Sequence, residues 1–312
     1  MTNRAGKPIS YKFSGHQTFP FRYGWLEKGV NGIKDYPDLF YRDDAIVTLG
    51  VGKNMVASIR HWCQLAQLIE TIPEEGRRVS RLLSPTEIAR KLLVQKAWDP
   101  FLEDDASLWL IHWLIVTNPT IGTSWKLLFS RYNRPDFTRN ELKNYLRDFI
   151  DKENFKVGET VLNRDVDCLI RSYVTSYGSK NQDVMEESFV CPLLQLSLIQ
   201  PSPDGELYRF AIGPKPSLPV LVFAYALNEH FGRWDQSTET MSIQECLYGD
   251  GSPGQVFKLD ENSLIEYLEE LEDQFGGGIL LDETAGLKQI YRRKSFDSKA
   301  FLEQYYSRNG SK

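Results

Sequence analysis

The spacing of apolar residues changes several times along the chain, and each change marks an element. From Asp43 onward Met55, Val56, Ile59, Trp62, Cys63 and Ala66 recur at the i, i+3, i+4, i+7 spacing of one helix face. Gly50 and Gly52 supply a tight turn ahead of that helix, and its opposite face carries Lys53, Asn54, Ser58, Arg60 and His61. Leu68 and Ile69, followed by the turn-rich stretch Thr71 to Arg81 with Arg77, Arg78 and Arg81, fit a second helix running into a wing. The stretch from about Asp44 to Arg81 thus reads as a helix-turn-helix of winged-helix type, with an ordinary amphipathic helix as the competing reading. A major-groove helix needs donors toward its N-terminal end and basic residues flanking it to hold the DNA backbone. Lys53, Asn54, Ser58, Arg60, His61, Arg77, Arg78 and Arg81 are the candidate DNA contacts on that reading, although many winged helices bind protein instead.

Further helices follow. Ser84-Pro85-Thr86-Glu87 has the form of a capping box, with Ser84 as cap and Pro85 at the first helical position, opening a helix to about Ala97. Ser107 to Val116 is apolar nearly all round, so it is a buried helix in which His112 reads as a core histidine. Thr123 to Tyr132 and Phe137 to Lys152 give two more helices, the second with a capping box from Thr138 to Glu141. Residues 160 to 232 hold a helix containing Asp165 and Asp167, a short helix Pro192 to Leu198, an alternating strand Tyr208 to Ile212 and an apolar helix Leu218 to Phe231. Ser242 to Arg293 repeats the winged-helix order: a short helix Ile243 to Tyr248, a turn, a long helix Glu261 to Phe275 and a hairpin Ile279 to Tyr291. That long helix carries Glu261, Glu266, Glu269, Glu270, Glu272 and Asp273, a face that repels phosphate and points to a structural or protein-binding role. The fold class expected is mainly α with small β-hairpin wings, winged helix-turn-helix modules standing around a central helical block. Four regions result: 1–81 as aromatic arm and DNA-facing winged helix, 82–152 as helical block, 153–235 as helical region with a short hairpin, and 236–312 as the C-terminal winged-helix-like module.

Composition narrows the function. With 312 residues, 41% of them apolar and 12% aromatic, the chain buries a sizeable core in two or three domains. A net charge of −5 argues against a protein that coats nucleic acid with its whole surface, so any such contact is local. Cys63, Cys168, Cys191 and Cys246 are scattered, with no partner His at zinc spacing, and read as buried reduced thiols. No long uncharged apolar run and no secretory N-terminus are visible, which leads to the expectation of a cytoplasmic protein without a membrane partner.

Several strings imitate catalytic motifs. Gly50-Val51-Gly52-Lys53 resembles the end of a phosphate-binding loop, but Val47 stands where that loop needs glycine and Asn54 where it needs Ser or Thr, so no nucleotide cofactor is expected. Asp136, Glu141 and Lys143 mimic a nuclease signature, yet the capping box accounts for Glu141. Asp165 and Asp167 on one helix point about 200° apart and cannot share a metal without irregular backbone. The segment from Ser10 to Gly29 packs aromatics between Gly15, His16, Pro20 and Arg22, which fits either a ligand-facing surface or an arm tucked against the core. From residue chemistry alone a binding module outranks an enzyme.

Taken together, five strings resemble one bacterial family. They are Ser14-Gly15-His16 through Thr18-Phe19-Pro20 to Trp25, Leu49 to Val56, Asp104-Asp105 with Leu108 to Trp113, Arg164 to Leu169, and Ser252-Pro253-Gly254 to Leu259. The resemblance is to the SspB-like component of Ssp DNA phosphorothioation systems, and it spans about residues 10 to 293. It implies action on double-stranded DNA beside a cysteine desulfurase and an ATP-dependent sulfurtransferase, in an anti-phage system that modifies one DNA strand. It also implies a DNA nicking endonuclease dependent on Mg or Mn, whose metal ligands the strings do not identify. His16, Arg22, Asp165 and Asp167, as polar residues inside these strings, are the candidates for catalysis or its support. The rival expectation is a non-catalytic DNA-binding adaptor or transcription regulator, and a homodimer is left open.

Overall fold

In the computed structural model the chain is mainly helical, with small antiparallel sheets of two or three strands. It describes residues 11–74, 76, 80–94, 97–118, 120–175, 191–234, 239–284 and 286–309. Two compact units form, one from Met1–Trp125 with Asp136–Arg209, the other from Lys126–Pro135 with Phe210–Lys312.

The first unit opens with α1 (Trp25–Asp35), α2 (Ala45–Leu49) and α3 (Lys53–Leu65). Gly29 lets α1 lie directly on α3, because a Cβ there would stand 2.5 Å from Cys63 Sγ and 2.9 Å from Ile59 Cγ2. Helix α3 buries Val56, Ile59, Trp62 and Cys63 as its periodicity predicts. The second helix expected after Leu68 does not form. Gln67 turns to φ 55, and the chain continues as β1 (Ile69–Thr71), paired antiparallel with β2 (Leu83–Pro85). Ser84 and Pro85 therefore belong to a strand, and the cap of α4 (Glu87–Leu93) is Thr86, whose hydroxyl accepts from Ala89 N–H at 3.4 Å. That helix stops at Leu93, earlier than the expected Ala97.

The buried helix appears as α5 (Asp105–Val116), with every residue from Ala106 to Val116 inaccessible. A short α6 (Thr123–Lys126) runs into a π-helical turn, Leu127–Arg131. Strand β3 (Asp136–Thr138) takes Phe137 out of the expected helix, and α7 (Arg139–Lys152) follows behind the capping box of Thr138 and Glu141. The next helix is α8 (Glu159–Tyr173). A 3-10 turn at Pro192–Leu196 leads to β4 (Ile199–Pro201) and β5 (Leu207–Phe210), and β5 lies between β3 and β4.

The second unit packs α9 (Val220–Trp234) against α11 (Pro253–Phe257), α12 (Glu261–Phe275) and α13 (Ser298–Asn309), with α10 (Ile243–Tyr248) beside α11. Its sheet runs β6 (Thr240–Ser242), β8 (Leu287–Arg292), β7 (Ile279–Thr284) in spatial order. Helices α1, α11 and α13 had no expectation attached to them. Among the described residues no helix is long and apolar enough to cross a membrane.

Candidate functional site

The most unusual backbone in the first unit is the loop 14–18. Ser14, Gly15, Gln17 and Thr18 have φ values of 69, 115, 51 and 67. Outside glycine such conformations cost about 1–3 kcal/mol each and gather at functional sites, where the surroundings must hold them. Here two side chains hold the loop from inside. His16 Nδ1 accepts from the Thr18 N–H at 3.0 Å, closing the turn on itself. A ring nitrogen that accepts carries no proton, so the imidazole proton sits on Nε2, which donates to Asp165 Oδ1 at 3.0 Å.

Asp165 sits on α8 at 2% exposure and is saturated. Its Oδ1 also accepts from the Ser14 N–H at 2.8 Å, and its Oδ2 accepts from the Ser124 hydroxyl on α6. Ser58 on α3 donates to the His16 carbonyl at 2.8 Å, Trp62 Nε1 to the Phe19 carbonyl at 3.0 Å, and Arg171 on α8 to the Thr18 carbonyl. Two helices, α3 and α8, thus clamp the loop through hydrogen bonds, and α6 braces Asp165 from behind. Beneath it lies His61, buried and with no hydrogen-bond partner for either ring nitrogen among the described residues. Burial, then the neighbouring His16 and Lys12, lowers its pKa to about 3, so the ring is neutral. Gly15 is required above it, since a Cβ would stand 2.5 Å from His61 Nδ1.

The outer side of the loop lines a cleft of roughly 350 Å³ together with Asn54, Val161 and Arg164. Lys53 and Asn54 stand exposed at the start of α3, Arg164 is exposed on α8 next to Asp165, and Lys12 is exposed just ahead of the loop. The Lys12 pKa is lowered, by partial burial and then by the Arg60 charge, which puts these two cations within electrostatic range of each other. A wall with an Arg and an amide beside a strained loop matches an anion with several acceptor oxygens.

The expected contacts divide. Asn54 lines the cleft, and Lys53 stands exposed next to it in the chain. Ser58 and His61 are not available to any ligand at the surface, a correction to the expected polar face of α3: loop 14–18 covers that side, so the helix is packed on two sides. Arg60 is half-buried with its guanidinium 4.5 Å from the Tyr41 ring centre, and the exposed Arg81 lies 5.7 Å from the same ring. Arg77 and Arg78 lie outside the described residues. Arg22 stacks between Phe19 and Trp25, at 5.5 and 5.4 Å. Asp167 faces away from Asp165 and pairs with Arg139 at 2.6 Å. His112 is the core histidine expected, 2.8 Å from the Tyr173 hydroxyl. Arg164, Lys12 and Ser124 were missed; Arg164 was visible as a charge inside a distinctive string, whereas nothing in the spacing marked Ser124.

A divalent cation does not fit this centre. Magnesium takes one or two carboxylates and keeps several waters, and the single carboxylate here already serves three donors. Among the described residues no three His, Cys, Asp or Glu side chains converge to hold a metal.

Comparison with known proteins adds three findings. The model of a family described as a protein of unknown function, DUF4007, matches residues 13–306. A solved structure described as an SspB crystal structure is 28% identical with a TM-score of 0.87, covering 97% of this chain and 91% of that one. A magnesium ion-bound SspB crystal structure is 29% identical with a TM-score of 0.85, covering 97% of this chain and 90% of that one. No curated protein matches.

Proposed function

The chain belongs to the DUF4007 family and is SspB-like in structure, and from that premise we propose that it is the DNA-engaging component of a single-strand DNA phosphorothioation system. The observation that carries this reading is the cleft at loop 14–18, where exposed Asn54 and Arg164 line a backbone held in place by hydrogen bonds from α3 and α8, with Lys53 exposed next to Asn54 at the start of α3. A preorganised cationic rim binds phosphate without first having to order itself, and it supplies the local basic patch that an overall acidic chain needs. The order α2, glycine turn, α3, then the β1–β2 ladder supports a winged-helix engagement, with the N-terminal end of α3 toward the groove. The acidic outer face of α12 then serves the protein partners, a cysteine desulfurase and an ATP-dependent sulfurtransferase, and the protein works in anti-phage defence.

Nicking of one strand completes the reading, with Mg or Mn held away from His16 and Asp165, because exchanging a phosphate oxygen for sulfur is helped by opening the strand. His16 and Asp165 serve such a reaction by holding the loop, not by moving protons, since both ring nitrogens and both carboxylate oxygens are engaged. That same saturation favours a second reading, a non-catalytic adaptor that delivers DNA to the sulfur-transfer partners. Incubation with supercoiled plasmid and Mg or Mn separates the two. Open-circular product is expected for the nickase; its absence in samples that retain DNA binding at low salt leaves the adaptor. Absence of any low-salt binding removes the DNA reading altogether.

A further inference from the structure

The string Ser252 to Leu259 builds a second site in the other unit. Ser252 caps α11, Pro253 occupies its first turn, and Gly254 packs so tightly that a Cβ would stand 2.5 Å from the Leu247 backbone. The product is Lys258 in an unusual place. It is a non-glycine residue at φ 56, closing α11, and its side chain is 5% exposed. For folding alone, glycine at that φ or an apolar side chain in that interior would cost less.

Its neighbour Lys215 shows what a purely structural buried lysine looks like: Nζ donates to the carbonyls of Ala211 and Gly213 at 2.7 Å and of Lys258 at 3.1 Å. Lys258 differs. Its Nζ makes two long bonds, to the Phe129 carbonyl at 3.2 Å and to Gln255 Oε1 at 3.3 Å, and otherwise faces the ring of Phe210 at 4.2 Å. Its donor capacity therefore exceeds the bonds it makes well.

This lysine forms part of the wall of a cleft of roughly 400 Å³, within the size range of small-ligand sites. Tyr248, 60% exposed at the mouth, supplies the accessible aromatic surface, while Tyr132 and Phe210 are buried in the wall behind it. The side-chain amides of Asn133 and Gln255 line the same cleft, 3.5 Å from each other. Aromatic surface, paired amides and one strong donor match a planar ligand whose edge carries both acceptors and donors.

We propose that this cleft receives a single unstacked nucleobase, stacked on Tyr248 at the mouth with an edge acceptor on Lys258 and the amides of Asn133 and Gln255 on the rest of that edge. Bases stack on aromatic side chains whatever their identity, and an unpaired base of a single strand leaves both its ring face and its edge free to be bound. The proposal rests on the DNA reading for the source of the base, not for the chemistry of the cleft. Burial pulls the Lys258 pKa down to about 7, so near neutral pH it donates as amine or ammonium alike.

The test is titration of the full chain with each deoxynucleoside monophosphate up to millimolar concentration, followed by ligand NMR, with ribose 5-phosphate as the base-free control. Saturable binding of the nucleotides is expected, at least tenfold weaker in Tyr248→Ala and in Lys258→Met. Tyr248 is exposed, so its variant stays informative if Lys258→Met fails to fold. No saturable binding, equal binding of ribose 5-phosphate, or indifference to Tyr248→Ala overturns the proposal, as does displacement of the nucleotides by a short aromatic acidic peptide that binds more tightly. Retention of duplex DNA at low salt is read on the same wild-type sample. Loss of that retention with nucleotide binding intact removes the DNA reading and leaves the cleft; the reverse pattern removes the cleft alone.

Discussion

His16 Nε2 donates to Asp165 Oδ1 at 3.0 Å across 149 residues of sequence, and both side chains are almost wholly buried. The bond joins the strained loop 14–18 to α8, and Asp165 collects two further donors from Ser14 and Ser124. Removing the carboxylate leaves three buried donors without a partner. Asp165→Ala is expected to cost about 3–5 kcal/mol of folding stability, in the range found for breaking a buried pair. Urea unfolding measures it, and a loss below about 1 kcal/mol would mean that the loop is held by something else.

Gly15 tests the packing of that loop. Its φ of 115 and the 2.5 Å approach to His61 Nδ1 together exclude any side chain. Gly15→Ala is expected to lower the melting temperature and to weaken DNA retention. A second change, His61→Ala, opens the space and restores part of the loss, an interaction that a double-mutant cycle reads directly. Purely additive effects of the two changes would separate Gly15 from His61.

The cleft makes a prediction about salt. On the proposed DNA reading Lys53→Ala and Arg164→Ala each remove one phosphate contact, so each is expected to weaken duplex binding and to lower the slope of log K against log salt by about 1. Filter binding at a series of salt concentrations gives both quantities. Unchanged slopes in both variants would move the DNA surface away from the cleft.

The pH dependence of stability carries the mark of His61. Its folded pKa of about 3 lies below the ordinary histidine value of 6.5, so between these two pH values the unfolded chain takes up a proton that the folded chain refuses. This contribution to stability is complete above pH 6.5 and is lost as the pH falls toward 3. His61→Phe removes it. The unfolding free energy of the variant relative to wild type should therefore rise as the pH drops through that window, and a constant difference would show that His61 titrates normally in the folded state.

Periodicity was a sound guide wherever the governing interactions are short-range. The apolar stripe of α3, the capping box of α7, the all-round apolar α5 and the long α12 followed by its hairpin all appear where their spacing puts them, because a helix face or a hairpin is set by residues a few positions apart. Even the divergence of Asp165 and Asp167 follows from helical geometry alone. It failed where distant segments compete for the same residues. Ser84 and Pro85 have the chemistry of a helix start, yet β1 claims them for a ladder. Ser58 and His61 have the chemistry of a surface helix, yet a loop some 40 positions earlier in the chain covers them. Composition and spacing were enough to read the mainly helical class and the family strings. The saturation of His16 and Asp165, the placing of Arg164 beside Asn54, and the confinement of Lys258 among aromatic rings depend on which remote surfaces meet. Burial and hydrogen-bond satisfaction in the packed molecule decide that, and neither is a property of any local stretch of residues.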